Sequence, residues 1–175
     1  MVTRRQVLKV GLGGAAVVVV GGGAALLLRE TVARTPRRPL RALTEEQFSV
    51  LAAVADRVAP ASGEFPSAWQ VEVPERIDEL LSRVHPGLAD EVGQGLMLLE
   101  SAAAGMLLEG RTATFTGSPP DEQDAILASW RASGLEVRRK TFKALNGLCN
   151  ATYYASPEVY AAVGYPGPLQ FGNAR

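Results

Sequence analysis

Apolar side chains recur at helical spacing along almost the whole chain after residue 42, and this periodicity constrains the fold more than any other feature. Thr44 and Gln47 form a capping box ahead of the first stripe. Pro74 suits the first turn of the second helix, because its missing N–H would be unpaired there anyway. Alternation with period two is confined to residues 111–115, which favour a loop. The chain is therefore predicted to be all-α, with one compact domain of about five to six helices at 43–175.

The stripes also predict helix boundaries and buried positions. Pro86 is predicted to close the second helix, and one helix of about twenty residues is predicted from Leu88 through Met106 to near Gly110. Ser118 is predicted to cap the next helix. The predicted buried stripes are Ile77, Leu80, Leu81 and Val84 in the second helix, and Leu135, Phe142, Leu145, Cys149 and Thr152 in a long helix that leaves Arg138, Arg139, Lys143 and Asn146 off this face.

An apolar, glycine-rich run at 10–28 follows a pair of arginines near the N-terminus. Arg4 and Arg5, together with Leu8 and Lys9, resemble the bacterial twin-arginine signal, although a valine stands where phenylalanine is favoured. Six glycines lower the hydropathy and the helix propensity of the run below those of an ordinary membrane anchor. As a helix, its nineteen residues would still reach about 28 Å, close to the hydrocarbon thickness of a bilayer.

Residues 1–33 are accordingly predicted to be a twin-arginine signal that is either cleaved or retained as a membrane anchor; a plain N-terminal membrane helix is the alternative. Thr31 and Ala33 are small and suitably spaced for cleavage after Ala33, but they do not form the favoured Ala-x-Ala. Residues 34–42 mix prolines with arginines and are predicted to be a linker. This interpretation places the domain on the periplasmic face of the cytoplasmic membrane, with the twin-arginine translocase as a partner.

The formal net charge of zero hides two oppositely charged parts. Residues 1–41 carry eight basic groups and one acidic group, a net charge of +7. Residues 42–175 carry ten basic and seventeen acidic groups, a net charge of −7. Since phosphate binding needs a basic face, the acidic body argues against nucleic acid as a partner.

The sequence offers few groups for catalysis or metal binding. His85 is the only histidine and precedes a Pro-Gly pair, which indicates a surface or capping role. Cys149 is the only cysteine and falls on an apolar helix face, which favours a buried, inert thiol. Asp121, Glu122 and Asp124 suit a helix N-terminus better than a metal site. We therefore predict no catalytic, cofactor-binding or metal-binding residue in this chain.

Aromatic residues and prolines gather near the C-terminus, around a short helix predicted to begin at Ser156. Aromatic side chains lose little conformational entropy on docking, and they are common anchors at protein interfaces. The alternative is that the tyrosines cover the core of their own domain. The predicted partner-binding residues are Tyr153, Tyr154, Tyr160, Tyr165, Pro166 and Pro168.

Two blocks of the sequence, at the start and at the end of the predicted domain, form a pattern together. The first is Leu-Thr-Glu-Glu-Gln at 43–47, continued by Ala-Val-Ala-Asp-Arg-Val-Ala-Pro at 53–60. The second is a long helix ending in Tyr-Tyr, followed by Ser-Pro-Glu-Val-Tyr at 156–160 and Gly-Tyr-Pro-Gly-Pro at 164–168. Together the two blocks resemble the gluconate 2-dehydrogenase subunit 3 family. The residues at 63–116 are similar to this family only in their helical character.

The resemblance implies the small subunit of a membrane-associated dehydrogenase that acts on sugars, sugar acids or polyols. It implies that FAD is held by a large partner subunit, that a separate cytochrome c often takes the electrons, and that the small subunit carries the export signal for the large one. It assigns no cofactor to this chain. The alternative is a stand-alone, membrane-anchored helical domain that binds another envelope protein.

Overall fold

A computed structural model of the chain describes residues 31–110 and 112–168. These residues form six helices of eight or more residues and one single-turn helix, and the only bridge between extended residues in them joins Ser62 to Phe65. The predicted all-α class is therefore confirmed. The helices are α1 (Glu45–Val58), α2 (Val73–Leu81), α3 (Pro86–Glu100), α4 (Ala102–Glu109), α5 (Pro120–Arg131), α6 (Glu136–Tyr154) and α7 (Pro157–Tyr160).

Helix α1 runs through the middle of the bundle. All eight residues at 48–55 are buried, so this part of the helix is covered on every side. Helix α6 is the longest, and it packs against α1, α2, α3 and α5. The core between them includes Leu51, Ile77, Leu99 and Phe115. The short α7 closes the bundle at the C-terminal end of α6 through the fully buried Val159.

The helix starts predicted at Thr44 and Pro74 are confirmed. The Thr44 side chain accepts from the backbone N–H of Gln47, and the Gln47 side chain accepts in return from the N–H of Thr44. Pro74 lies in the first turn of α2, and the helix begins directly after Glu72, whose φ of 57° puts it in the left-handed region. Both starts depend on residues that are close in sequence, which explains why they could be predicted.

The prediction of one continuous helix from Leu88 to near Gly110 is wrong. The chain leaves helical geometry at Ser101, which separates α3 from α4. The buried Glu100 carboxylate accepts from both the backbone N–H and the hydroxyl of Thr116. The Ser101 hydroxyl then accepts from the N–H of Ala104 and caps the new helix.

Two predicted helix boundaries are also wrong. Pro86 begins α3 and does not end α2, because the His85 ring nitrogen accepts from the backbone N–H of Gly87 and caps the following helix. The predicted capping role of His85 is thereby confirmed. Ser118 does not cap α5: its hydroxyl donates to the carbonyl of Thr114, and Pro119 occupies the cap position.

For three side chains, the prediction of whether they are buried or exposed is wrong. Leu80 is 44% exposed and Leu135 is 47% exposed, although both were expected in apolar stripes. Arg138, expected on the polar face of α6, is buried. Its guanidinium carbon lies 5.0 Å from the centre of the Trp130 ring, and it donates to the Ser129 hydroxyl. The apolar stem and the flat charged head of arginine suit this place between α5 and α6.

Residues 31–43, which we call the strap, contain no helix and lie against the body of the domain. They include the segment 34–42 that was predicted to be a linker. Within the described ranges, no helix combines the length and the hydropathy needed to cross a membrane. The apolar run at 10–28 and the four predicted targeting residues lie outside those ranges. The targeting residues are Arg4, Arg5, Leu8 and Lys9.

Candidate partner-binding surfaces

Four of the six predicted partner-binding residues follow α6. Tyr160 and Tyr165 meet edge to face, with ring centres 5.0 Å apart, and the N–H of Tyr165 donates to the carbonyl of Tyr160. Gly164 makes this return possible with a φ of 68°, which favours glycine. Tyr165 is 46% exposed, and Pro166 and Pro168 are also exposed. A surface of aromatic rings and prolines therefore faces outward at this end of the bundle.

The other two predicted residues, Tyr153 and Tyr154, have opposite surroundings. Tyr153 is 3% exposed, and its hydroxyl donates to the carbonyl of Pro66 at 2.6 Å. Burial, with the neighbouring Tyr154, raises the pKa of the Tyr153 hydroxyl. Tyr154 is 54% exposed and touches Tyr153 edge to face. The alternative, that the tyrosines cover the core of their own domain, thus holds for Tyr153. The other five predicted residues face outward, and we call them the aromatic surface: Tyr154, Tyr160, Tyr165, Pro166 and Pro168.

A shallow groove runs beside the aromatic surface, between α2 and α6. Its volume is about 350 Å³, and the exposed Leu80 lies in its wall. Arg76 also lines it and pairs with Glu158 of α7 at 3.2 Å. Since Thr152 and Ala155 line the groove from the α6 end, it adjoins the turn that carries Tyr154.

A larger groove of about 700 Å³ separates α3 from α6. Gly95 permits the close approach of the two helices, because a Cβ there would lie 2.9 Å from a methyl carbon of Thr141. Leu88 and Val137 line the groove and are about half exposed. The sequence reasoning missed this groove.

The strap is held most firmly at its C-terminal end. The buried Asp78 carboxylate accepts from the backbone N–H groups of Arg41, Ala42 and Leu43, at 2.8, 3.0 and 2.8 Å. Hydrogen bonds to a charged acceptor are about twice as strong as those between neutral groups. One side chain of α2 therefore fixes three consecutive strap residues just before α1 begins.

The strap arginines meet acidic and aromatic side chains of the body. Trp69 lies beneath two of them, with the guanidinium carbons of Arg34 and Arg37 at 5.4 and 4.9 Å from its ring centre. The ion pairs are Arg34 with Asp56, Arg37 and Arg38 with Glu72, and Arg41 with Glu79. These pairs are partly exposed and contribute about 0–1 kcal/mol each, so the buried Asp78 outweighs any one of them.

The other chemical candidates have structural roles. Cys149 is fully buried, and burial raises the pKa of its thiol to about 12. A thiol with this pKa is protonated at neutral pH and is a poor nucleophile. In the part of the chain that the structure describes, no three His, Cys, Asp or Glu side chains gather as a metal site would require.

The sequence model of the family described as gluconate 2-dehydrogenase subunit 3 matches residues 45–167, which is more than half of the chain. The chain belongs to the gluconate 2-dehydrogenase subunit 3 family. The resemblance inferred from the two sequence blocks is thereby confirmed. Comparisons with curated proteins and with solved structures gave no match.

The family match includes most of the aromatic surface but not the strap. It begins at Glu45, the first residue of α1, and ends at Gly167, so it covers both grooves and nearly all of the aromatic surface. The strap precedes it. Membership identifies the chain as an accessory subunit of a multi-subunit dehydrogenase complex.

Proposed function

We propose that this chain is the non-catalytic small subunit of a periplasmic, membrane-associated, FAD-dependent dehydrogenase that oxidises a sugar, sugar acid or polyol. It binds the large flavoprotein subunit in the cytoplasm, escorts it through the twin-arginine translocase and stabilises it afterwards. FAD belongs to the large subunit, and a cytochrome c subunit would be a further partner. The family match over residues 45–167 is the observation that carries this proposal.

The pairing of the strap arginines supports export in the folded state. Arginines directly after an apolar segment oppose the transfer of the following chain across a membrane when that chain is unfolded. All four arginines at 34–41 have a carboxylate partner in the folded domain. These partners belong to α1, to α2 and to the residue before α2, so the pairing exists only after the body has folded. A route that carries folded proteins therefore avoids exposing these charges.

The aromatic surface supports a permanent protein partner. Tyr154 and Tyr165 are each about half exposed, and both are held in edge-to-face ring pairs. Their side chains are therefore already ordered, which lowers the entropic cost of binding. Tyrosines of this kind are enriched among the residues that dominate binding energy at interfaces. We assign this surface to the large subunit.

Isolation of the native complex tests the proposal directly. The full-length protein, carrying a C-terminal tag, would be purified from the membrane fraction of its own cells, with an absorbance spectrum and mass identification of any partner. We expect a large co-purifying chain with flavin bands near about 450 nm. A partner without flavin would support the alternative of a stand-alone envelope-binding domain and contradict the proposal.

Paired variants test which surface binds the large subunit. The double variant Tyr154→Ala and Tyr165→Ala should weaken binding by about 30-fold or more, because truncating a well-placed interface aromatic costs about 2 kcal/mol or more. The matched control is Leu88→Ala with Val137→Ala, which removes exposed apolar groups from the groove between α3 and α6. Loss of binding in the control alone would assign the interface to that groove.

Targeting is tested by replacing both arginines of the predicted signal. Arg4→Lys together with Arg5→Lys should leave this protein and the large subunit in the cytoplasm, since the signal resembles one that depends on the arginine pair. The readout is dehydrogenase activity in the periplasmic and cytoplasmic fractions. Normal periplasmic activity in this variant would contradict the escort role.

A further inference from the structure

The Ala33–Arg34 peptide bond lies in a part of the strap that the folded body holds on both sides. The N–H of Val32 donates to the Thr116 hydroxyl oxygen at 2.9 Å. The N–H of Arg34 donates to the Ser49 hydroxyl oxygen at 3.0 Å. The amide of the bond itself and the amide of Val32 are thus both bound to the body, although the side chains of Val32 and Ala33 face solvent.

Both hydroxyl acceptors are themselves fixed by the body. The Thr116 hydroxyl donates to the Glu100 carboxylate at 2.6 Å, and Glu100 is buried. The buried Ser49 hydroxyl donates to the carbonyl of Glu45, one turn earlier in α1. Neither hydroxyl can follow the strap outward without breaking its own hydrogen bond.

Side chains on either side of the bond add further contacts. Thr31, two residues before Ala33, donates from its hydroxyl to the Glu46 carboxylate at 3.1 Å. Arg34 pairs with Asp56 and lies over the Trp69 ring. A signal peptidase recognises the small residue before the cleaved bond together with the one two positions earlier. In the folded chain, the earlier of these side chains is already engaged by α1.

Proteolysis within a folded segment requires that the segment first opens, because a protease must bind several residues in an extended form. A protein exported in the folded state meets the peptidase with its strap already docked. We propose that docking of the strap shields the Ala33–Arg34 bond from signal peptidase, so that residues 1–33 stay attached as the membrane anchor of the mature subunit. The inference rests on the proposed export.

Retention would also limit the distance between the body and the membrane. The apolar run ends at Leu28, three residues before Thr31, and three extended residues span about 10 Å. The strap holds Thr31 against α1. The anchored domain would therefore lie directly at the membrane surface, with little freedom to move away from it.

Cleavage of the purified protein tests the shielding. The full-length chain in detergent and an unfolded peptide of residues 1–45 would be incubated with purified bacterial signal peptidase and followed by intact mass. We expect the peptide to be cleaved after Ala33. The folded chain should be cleaved at least about 30-fold more slowly, because two backbone hydrogen bonds must open first. Equal rates would overturn the inference, as would a peptide that resists cleavage.

Variants of the two acceptors test whether these contacts cause the protection. Ser49→Ala with Thr116→Val should speed the cleavage of the folded chain by about 30-fold. Thr116→Ser keeps a hydroxyl and is the matched control, which should stay protected. Because Thr116→Val also removes a donor from the buried Glu100, Ser49→Ala alone repeats the test with that carboxylate intact, and about a five-fold faster cleavage is expected. Unchanged rates in both variants would refute the role of the contacts.

The mass of the protein in its own cells separates this inference from the proposed export. Full-length protein in the membrane fraction supports both. A chain beginning at Arg34 in the envelope would overturn the retention of the anchor and leave the export intact. Full-length protein found only in the cytoplasm would overturn the export and with it the anchoring, while the detergent experiment would still decide the shielding.

Discussion

Replacement of Asp78 by alanine should show how much of the domain's stability depends on the strap. The Asp78 carboxylate is 3% exposed and accepts three backbone N–H groups of the strap. The N–H groups of Arg41 and Ala42 are only partly buried and can bond to water after the substitution. The N–H of Leu43 is buried and would stay unpaired, which costs about 1–3 kcal/mol. This cost adds to the loss of the two charge-assisted hydrogen bonds from Arg41 and Ala42. We therefore expect a decrease of about 3 kcal/mol in the free energy of unfolding.

The assay is thermal unfolding of the full-length chain, followed by the helical circular dichroism signal. For a domain of this size, about 3 kcal/mol corresponds to a decrease of roughly 10 °C in Tm. Asp90→Ala is the matched control, since Asp90 is an exposed acid on α3 and its loss changes the charge equally. The control should stay within about 2 °C of the unmodified protein, because most exposed substitutions change stability by under about 0.5 kcal/mol. An equally small shift for Asp78→Ala would show that the strap is not part of the cooperative fold.

Two glycines and the cysteine give further predictions. Gly95→Ala should destabilise the domain by about 1–3 kcal/mol, because the added Cβ would press against Thr141. Gly147 faces open space on α6, so Gly147→Ala should stabilise the domain by about 0.5–1 kcal/mol. Denaturant titrations measure both changes. The unfolded Cys149 thiol loses its proton near pH 9 and the folded one only near 12, so the folded chain holds more protons in this window. Stability should therefore fall as the pH rises from 9 to 11, by up to about 1.4 kcal/mol per unit, and a Cys149→Ala variant that falls as steeply would refute this origin.

Local signals predicted the starts of α1, α2 and α7. The capping box at Thr44 and Gln47 and the prolines at 74 and 157 lie in the first turns of α1, α2 and α7. These signals involve groups at most three residues apart, so the sequence contains the complete interaction. The same locality explains why the all-α class could be predicted from apolar spacing alone.

Two of the errors arise where a distant partner decides the local structure. The break at Ser101 follows from Glu100 bonding to Thr116, sixteen residues later. The burial of Arg138 depends on the ring of Trp130 across the α5–α6 contact. Helical periodicity contains neither partner, so it predicted an uninterrupted helix and an exposed arginine.

The candidate site was only partly predictable for the same reason. Tyr153 and Tyr154 are adjacent in sequence, but successive residues of a helix point about 100° apart, so one enters the core and the other faces solvent. Composition cannot tell which of the two is buried, because this depends on the position of the Pro66 carbonyl, 87 residues away along the chain. The sequence located the aromatic region, and its division between core and surface required the structure.

The opposite charges of the two parts of the sequence acquire a structural meaning in the strap. A stretch of prolines and arginines normally suggests a solvated linker, because nothing nearby in sequence neutralises it. Here the partners of strap residues 34–43 stand 15 to 38 residues later in sequence, on α1, on α2 and on the residue before α2. They come together only when both helices have packed. The chain that follows the predicted signal is therefore docked and neutralised by folding itself, which makes its conformation a direct consequence of the folded state of the body.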